Sequence, residues 1–271
     1  MFLVDIFEYD FMTRALIVGV FTAVSAAMLG NFVVTARQAV MSDMLAHTAL
    51  VGVGLGIFWQ VSPTYLALLT TIIAALLLWW LSRQRNQAPE AISMLLLTGG
   101  LATALLLTHL NKNSPISLDT YLFGSILTIT QMEMFVFIGL NVVIIAILLF
   151  FWRSFLTLVF DKDFFQTQRH VMFYEILFMA LIALIVGVGL KVIGGLLIGA
   201  LLVIPVLIVQ SFSNCFSQNV WVSVLVNIIA VGFGIIGSFY LDVPASSGIV
   251  LGLIGFYFFV KIREVFLNTK L

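Results

Sequence analysis

The chain has 271 residues, 62% of them hydrophobic and only 9% charged, with 12 basic and 12 acidic side chains and no net charge. Soluble domains carry about 25% charged residues, so too little polar surface is present to cover a water-soluble globule. No basic run offers nucleic acid an electrostatic footing, and the single cysteine, Cys215, excludes an internal disulfide and reads as a small packed apolar residue.

Apolar runs long enough to cross a bilayer as helix, roughly 17–25 residues each, recur from end to end. A transmembrane barrel would instead show segments of about ten residues with alternating polarity. The N-terminus carries Asp5, Glu8 and Asp10, where a cleavable signal peptide would carry basic residues first, so none is expected. In chain order the predicted spans are about 12–33, 41–59, 64–82, 91–109, 131–152, 173–189, 193–212, 219–240 and 247–262. The turn in "GVGLKVIGG" is very short; if that pair is one broken helix, the count falls from nine to eight. Lysine and arginine are retained on the cytoplasmic side. Nine spans place Arg37, Arg83, Arg85, Arg153, Lys162, Arg169, Lys261, Arg263 and Lys270 inside, and only Arg14, Lys112 and Lys191 outside. The expectation is an all-α polytopic bundle forming one domain over residues 1–271, with its larger cytoplasmic connection at about 153–172.

Asp43 and His47 stand out in the second span. Residues four apart share one helix face. A carboxylate and an imidazole so placed suit zinc, manganese or ferrous iron. Ionisable groups within a membrane segment are costly and mark function by default. The alternative is that Asp43 caps the helix start and His47 hydrogen-bonds a neighbour. Gly52 and Gly56, and again Gly195 and Gly199, form small faces for close helix contact, and Pro205 is expected to kink the later helix. The stretch "RSFLTLVFDKDFFQTQRHV", Arg153 to Val171, reads either as an amphipathic helix for a partner's groove or as an interfacial connector. Asp242, at an outer helix end, fits a terminal cap best, while attraction of an incoming cation stays open. His109, Asp119 and His170 read as solvated loop groups. No phosphate-binding loop occurs, so ATP is not bound by that route; no H-E-x-x-H occurs, which argues against an intramembrane zinc protease of that type, and no nucleophile elbow occurs.

"NFVVTARQAVMSDMLAHTALVGVGLG", Asn31 to Gly56, resembles the permease subunit of zinc/manganese/iron ABC importers, with its arginine-bearing inner turn and D-x-x-x-H helix. "YLFGSILTIT" (Tyr121 to Thr130), "VIGGLLIGALLVIPVLIVQSFS" (Val192 to Ser213) and "DVPASSGIVLG" (Asp242 to Gly252) agree in order and spacing. The resemblance implies a homodimer docked on separate ATPase subunits and fed by an extracytoplasmic metal-binding protein in a prokaryotic inner membrane. It implies that Asp43 and His47 line the metal pathway, with no permanently bound cofactor. It also implies that Phe160, Asp161 and Asp163 begin the segment that couples to the ATPase. Ser42 and Ser246 stand where the family usually has glycine, and "FFQTQRH" departs from the small residues usual after the coupling start. Three rival functions compete. A proton-coupled secondary transporter would use Asp43 and His47 as a relay. An intramembrane enzyme would need more than this one pair. A permease for a chelate such as cobalamin or a siderophore would not need metal-ligating side chains on its pathway.

Overall fold

The computed structural model describes residues 10–84, 88–110, 118–124, 129–161, 164–165, 170–213, 215–241 and 243–268. Asp163 and Asp242 lie outside these residues. Among these residues are the helices α1 (Asp10–Thr35), α2 (Ala39–Trp59), α3 (Pro63–Gln84), α4 (Pro89–Leu110), α5 (Asp119–Phe123), α6 (Gln131–Phe150), α7 (Trp152–Phe160), α8 (Val171–Val192), α9 (Gly195–Gln210), α10 (Phe216–Leu241) and α11 (Ala245–Asn268). No strand occurs among the described residues.

Eight of these helices are long and apolar enough to cross a membrane. The chain breaks between α8 and α9 at Gly194, whose φ of 101° favours glycine. The two are therefore separate helices. At 16 residues α9 is the short member; a rise of about 1.5 Å per residue makes it roughly 24 Å long, against about 30 Å of hydrocarbon.

Local chemistry sets several boundaries. Pro63 and Pro89 open α3 and α4, where a missing N–H costs nothing and φ is already helical. Thr130 and Glu133 form a reciprocal capping box at the start of α6. Outside that first turn, Glu133 also pairs with Lys191, which joins the outer ends of α6 and α8.

Two spans lie at the centre. α1 and α2 are each 72% buried along their most apolar stretch, whereas α11 is only 17% buried and turns outward. α1 packs against α6, α9 and α10; α2 packs against α3, α4, α8 and α9. Lipid tails are as apolar as leucine, so helix association within a bilayer depends on close packing and interhelical hydrogen bonds. Both are present. Gly52 lies against the Leu66 carbonyl and Thr70 of α3, and Gly56 against Pro63, as their small-residue spacing suggests. Asn141 of α6 accepts from the Ser25 hydroxyl and donates to Thr22 Oγ1 at 3.4 Å. Asn227 of α10 donates to the carbonyls of Ala23 at 3.1 Å and Leu201 at 2.9 Å, tying α10 to α1 and α9 at once.

At the inner ends, aromatic rings replace these bonds. Phe32 of α1 meets Trp152 and Phe155 of α7 and Phe216 of α10, with ring centroids 5.1, 6.2 and 5.0 Å away. Phe155 and Phe178 add a tilted pair at 5.7 Å. The short amphipathic α7 is thereby fixed to the bundle by its apolar face. Cys215 departs from expectation: it is exposed, because it falls in the linker between α9 and α10 rather than on a packed helix face.

Replacing Asn227 by leucine keeps side-chain bulk and removes both interhelical bonds. Such bonds are worth on average about 0.6 kcal/mol in membranes. Asn227→Leu is therefore expected to destabilise the bundle by about 1–2 kcal/mol, read as a lower unfolding midpoint in detergent. An unchanged midpoint would remove Asn227 from the account of how α1, α9 and α10 are held.

Candidate functional site

Asp43 begins the second turn of α2 and does not cap it. The N-cap residue is Gln38, which makes no side-chain capping bond. The cap reading of Asp43 therefore falls. Ser42 and Met44, on either side, are buried, while Asp43 itself is exposed at the surface of the single chain. Ser42 settles its hydroxyl on the Ala39 carbonyl at 2.7 Å. One turn further, His47 is half-buried, and its Nδ1 is enclosed without a hydrogen-bond partner among the described residues. The expected neighbour for His47 is thus absent at that nitrogen.

The short helix α9 makes room for this polar face. A Cβ at Gly199 would collide with the Asp43 carboxylate oxygen, so only glycine lets the carboxylate lie flat on α9. A Cβ at Gly195 would lie 3.7 Å from Cβ of Ala46 and 3.8 Å from the Tyr121 carbonyl. The spacing of Gly195 and Gly199 therefore serves two contacts. It packs α9 on α2, and it sets the position of Asp43.

On the outer side, α5 lies against α8, α9 and α11. Tyr121 is buried, and its phenol bonds with Thr64 at the start of α3. Burial pushes that phenol above its ordinary pKa, against the opposing pull of the Thr64 bond. Gly124, with φ 77°, crosses Gly194 so closely that a Cβ on Gly124 would come 2.6 Å from the Gly194 nitrogen. Neither residue admits a side chain there.

Asp43 and His47 can supply one carboxylate and one imidazole to a cation. No group of three or more histidine, cysteine, aspartate or glutamate side chains comes together among the described residues. A closed zinc site uses four ligands, so one chain offers half of such a shell. The open half points out of the chain. A carboxylate on a membrane-spanning helix faces a polar cavity or a partner rather than lipid.

The cytoplasmic candidates are divided. Phe160 ends α7 with 61% of its surface exposed, its ring edge-on to Phe216 at 5.5 Å. Asp161 is exposed, and its Oδ1 accepts from the Phe164 N–H at 3.0 Å. Asp163, like the outer Asp242, falls outside the described residues. His109, Asp119 and His170 are exposed, as solvated groups should be. Sequence reasoning passed over Asn141, Asn227, and the Glu133–Lys191 pair. Asparagines within otherwise apolar runs were a readable signal. The ion pair was not, because its members lie 58 residues apart.

Comparison with known proteins gives a concordant result. The high-affinity zinc uptake system membrane protein ZnuB of Haemophilus influenzae is 28% identical over 245 residues, covering 90% of this chain and 94% of its own length. The manganese transport system membrane protein MntC of Halalkalibacterium halodurans is 24% identical over 248 residues, covering 91% and 85%. Among solved structures, PsaBC from Streptococcus pneumoniae in complex with Fab superposes with a TM-score of 0.85 at 23% identity, covering 100% of this chain and 99% of the other. An inward-facing putative metal-chelate type ABC transporter gives a TM-score of 0.73 at 16% identity, covering 93% and 86%. These two likenesses establish the fold. The sequence model of the ABC 3 transport family matches residues 8–264, and a match of that extent on a bundle of this shape makes the chain a member of the ABC 3 transport family.

Proposed function

We propose that this chain is the membrane permease of an ATP-driven importer of divalent transition metal ions, with zinc or manganese ahead of iron as cargo. The observation that carries this reading is the exposed Asp43 carboxylate on a membrane span, with His47 one turn away and its Nδ1 unpaired. Residues four apart share one face of α2, which is exposed at Asp43 and half-buried at His47. Two copies related by a two-fold axis would bring two such pairs together, completing the shell that one chain leaves half-built. Two ligands per subunit hold a cation firmly enough to replace part of its hydration, and weakly enough to release it. The zinc and manganese systems named among the relatives support the cargo class.

ATP hydrolysis belongs to a separate subunit. In this reading Phe160 and Asp161, with Asp163 beyond them, present the contact for that ATPase on the cytoplasmic side of a bacterial inner membrane. An extracytoplasmic metal-binding protein delivers the cation to the outer face, where Asp242 is the proposed entrance group.

Metal accumulation in cells carrying the whole importer tests the pathway. Asp43→Ala and His47→Ala are each expected to lower uptake of one metal by roughly tenfold or more at unchanged permease level, since even groups that only orient metal ligands are worth 10–100-fold. Unchanged uptake in both variants would remove the pair from the pathway. Uptake that collapses with a protonophore while ATP is maintained would favour a proton relay instead.

Gly199→Ala probes the same site without touching either ligand. The added methyl must push the Asp43 carboxylate aside, so uptake should fall severalfold while the purified protein stays monodisperse. Wild-type uptake would show that the carboxylate needs no fixed seat.

Phe160→Ala should weaken association with the ATPase. Loss of an exposed aromatic anchor at an interface commonly costs about 2 kcal/mol, or roughly 30-fold in Kd. Co-purification of the ATPase at wild-type yield would place its contact elsewhere.

A further inference from the structure

A cavity of about 750 Å³ lies among the inner ends of α2, α3, α4, α7 and α8. Its volume falls within the range of small-molecule sites. The floor is apolar, formed by buried Met41, Leu78 and Phe178. The rim is polar, and among the described residues four charged side chains line it: Arg37, Arg83, Glu90 and Glu175. Arg83 pairs with Glu175 at 3.4 Å, the same carboxylate oxygen accepts from Trp79 Nε1 at 2.9 Å, and the guanidinium stacks on the Trp79 ring at 5.5 Å. That group is neutral and satisfied. Arg37 and Glu90 remain, one positive and one negative, with no ion pair among the described residues. Two further rim atoms, Gln38 Oε1 and Ser82 Oγ, are enclosed and have no hydrogen-bond partner there.

An apolar floor toward the membrane centre and a zwitterionic rim at the helix ends match one class of molecule. Pockets with basic side chains between the cytoplasmic ends of transmembrane helices bind lipid headgroups. An anionic lipid would satisfy Arg37 and leave Glu90 facing a like charge. An aminophospholipid satisfies both. We infer that this cavity holds one phosphatidylethanolamine molecule, its phosphate on Arg37 and its ammonium on Glu90. The first part of its acyl chains covers Leu78 and Phe178. Leu158 and Val159 of α7 also line the cavity, so the lipid fills the gap between α2 and the amphipathic cytoplasmic helix. This inference does not depend on which cargo the protein carries.

Native mass spectrometry of the full-length chain, delipidated in detergent and then titrated with phosphatidylethanolamine or phosphatidylglycerol, tests it. The expected result is one phosphatidylethanolamine per chain, retained at collision energies that strip other lipids, and at least fivefold preferred over phosphatidylglycerol. Arg37→Gln should lower retention of both lipids at least fivefold. Glu90→Gln should lower phosphatidylethanolamine alone and abolish the preference, a signature that general loss of fold would not produce. Leu251→Ala, on the outward face of α11, should change nothing. Equal retention of the two lipids by the wild-type chain would overturn the inference, as would retention unaffected by Glu90→Gln. If Arg37→Gln is not monodisperse, those two measurements decide alone. A protein side chain filling the cavity in the complex with the ATPase would also overturn it.

Discussion

A carboxylate on a membrane-spanning helix is the constraint around which this bundle is arranged. Insertion measurements put the cost of an aspartate at a helix centre at about 2.5–3.5 kcal/mol. Asp43 accordingly does not sit among leucines. It lies flat on α9 at Gly199, where a bare backbone replaces a side chain. Its other side opens away from the chain, with His47 on the same face. α9 meets this face at Gly199, while Gly124 and Gly194, both at positive φ, let α5 cross the turn between α8 and α9. Irregular backbone at membrane depth is tolerated only where protein or a watery cavity covers it, and α5 and α9 provide that cover for each other.

Much of the fold was legible because bilayers impose a simple rule. Every span must be a long apolar helix, and the runs beginning near residues 12, 64, 91, 131 and 219 correspond to α1, α3, α4, α6 and α10. The boundary between α8 and α9 was the weak point, and Lys191 explains why. A charged residue beside two glycines reads equally as a turn or as a break within one helix. Its partner Glu133, 58 residues away, settles it at the outer end of α8. The lateral arrangement of the spans was not legible at all. Hydropathy gives each helix a length and a direction but no neighbour, and the bonds that choose neighbours, such as Asn227 to Ala23 and Leu201, are made by one side chain each.

The site was legible in its residue types and not in its geometry. Asp43 and His47 stand out in an apolar run by chemistry alone. That Asp43 faces outward and His47 Nδ1 is enclosed depends on where α9 and α4 pack, which the spacing of two residues does not determine. The glycine at 199 could be read as a packing residue, but its particular neighbour is a carboxylate 156 positions earlier in the chain. The cytoplasmic candidates show the opposite limit: Phe160 and Asp161 are placed and exposed, while the residues after them carry the least typical sequence in the chain.

The same contacts link the cytoplasmic helix to the Asp43 carboxylate. α7 is held by Phe155 and Trp152 against Phe32 of α1. Two residues before Phe32, Gly30 presses on the Leu202 carbonyl of α9. Three residues before Leu202, Gly199 bears the Asp43 carboxylate. The first link is made by aromatic rings, the second by backbone at Gly30 and Leu202, and the third by the Asp43 carboxylate on Gly199, and packed interfaces shift between arrangements rather than deform smoothly. α7 and α9 are thus joined through α1 by direct contacts. The last contact in this series is the Asp43 carboxylate on Gly199. Proximity alone does not make a mechanism. Here, however, the two glycines set the terms of any coupling: a side chain at position 30 would part α1 from α9, and one at position 199 would part α9 from the carboxylate, so the route is interrupted at a different helix in each case.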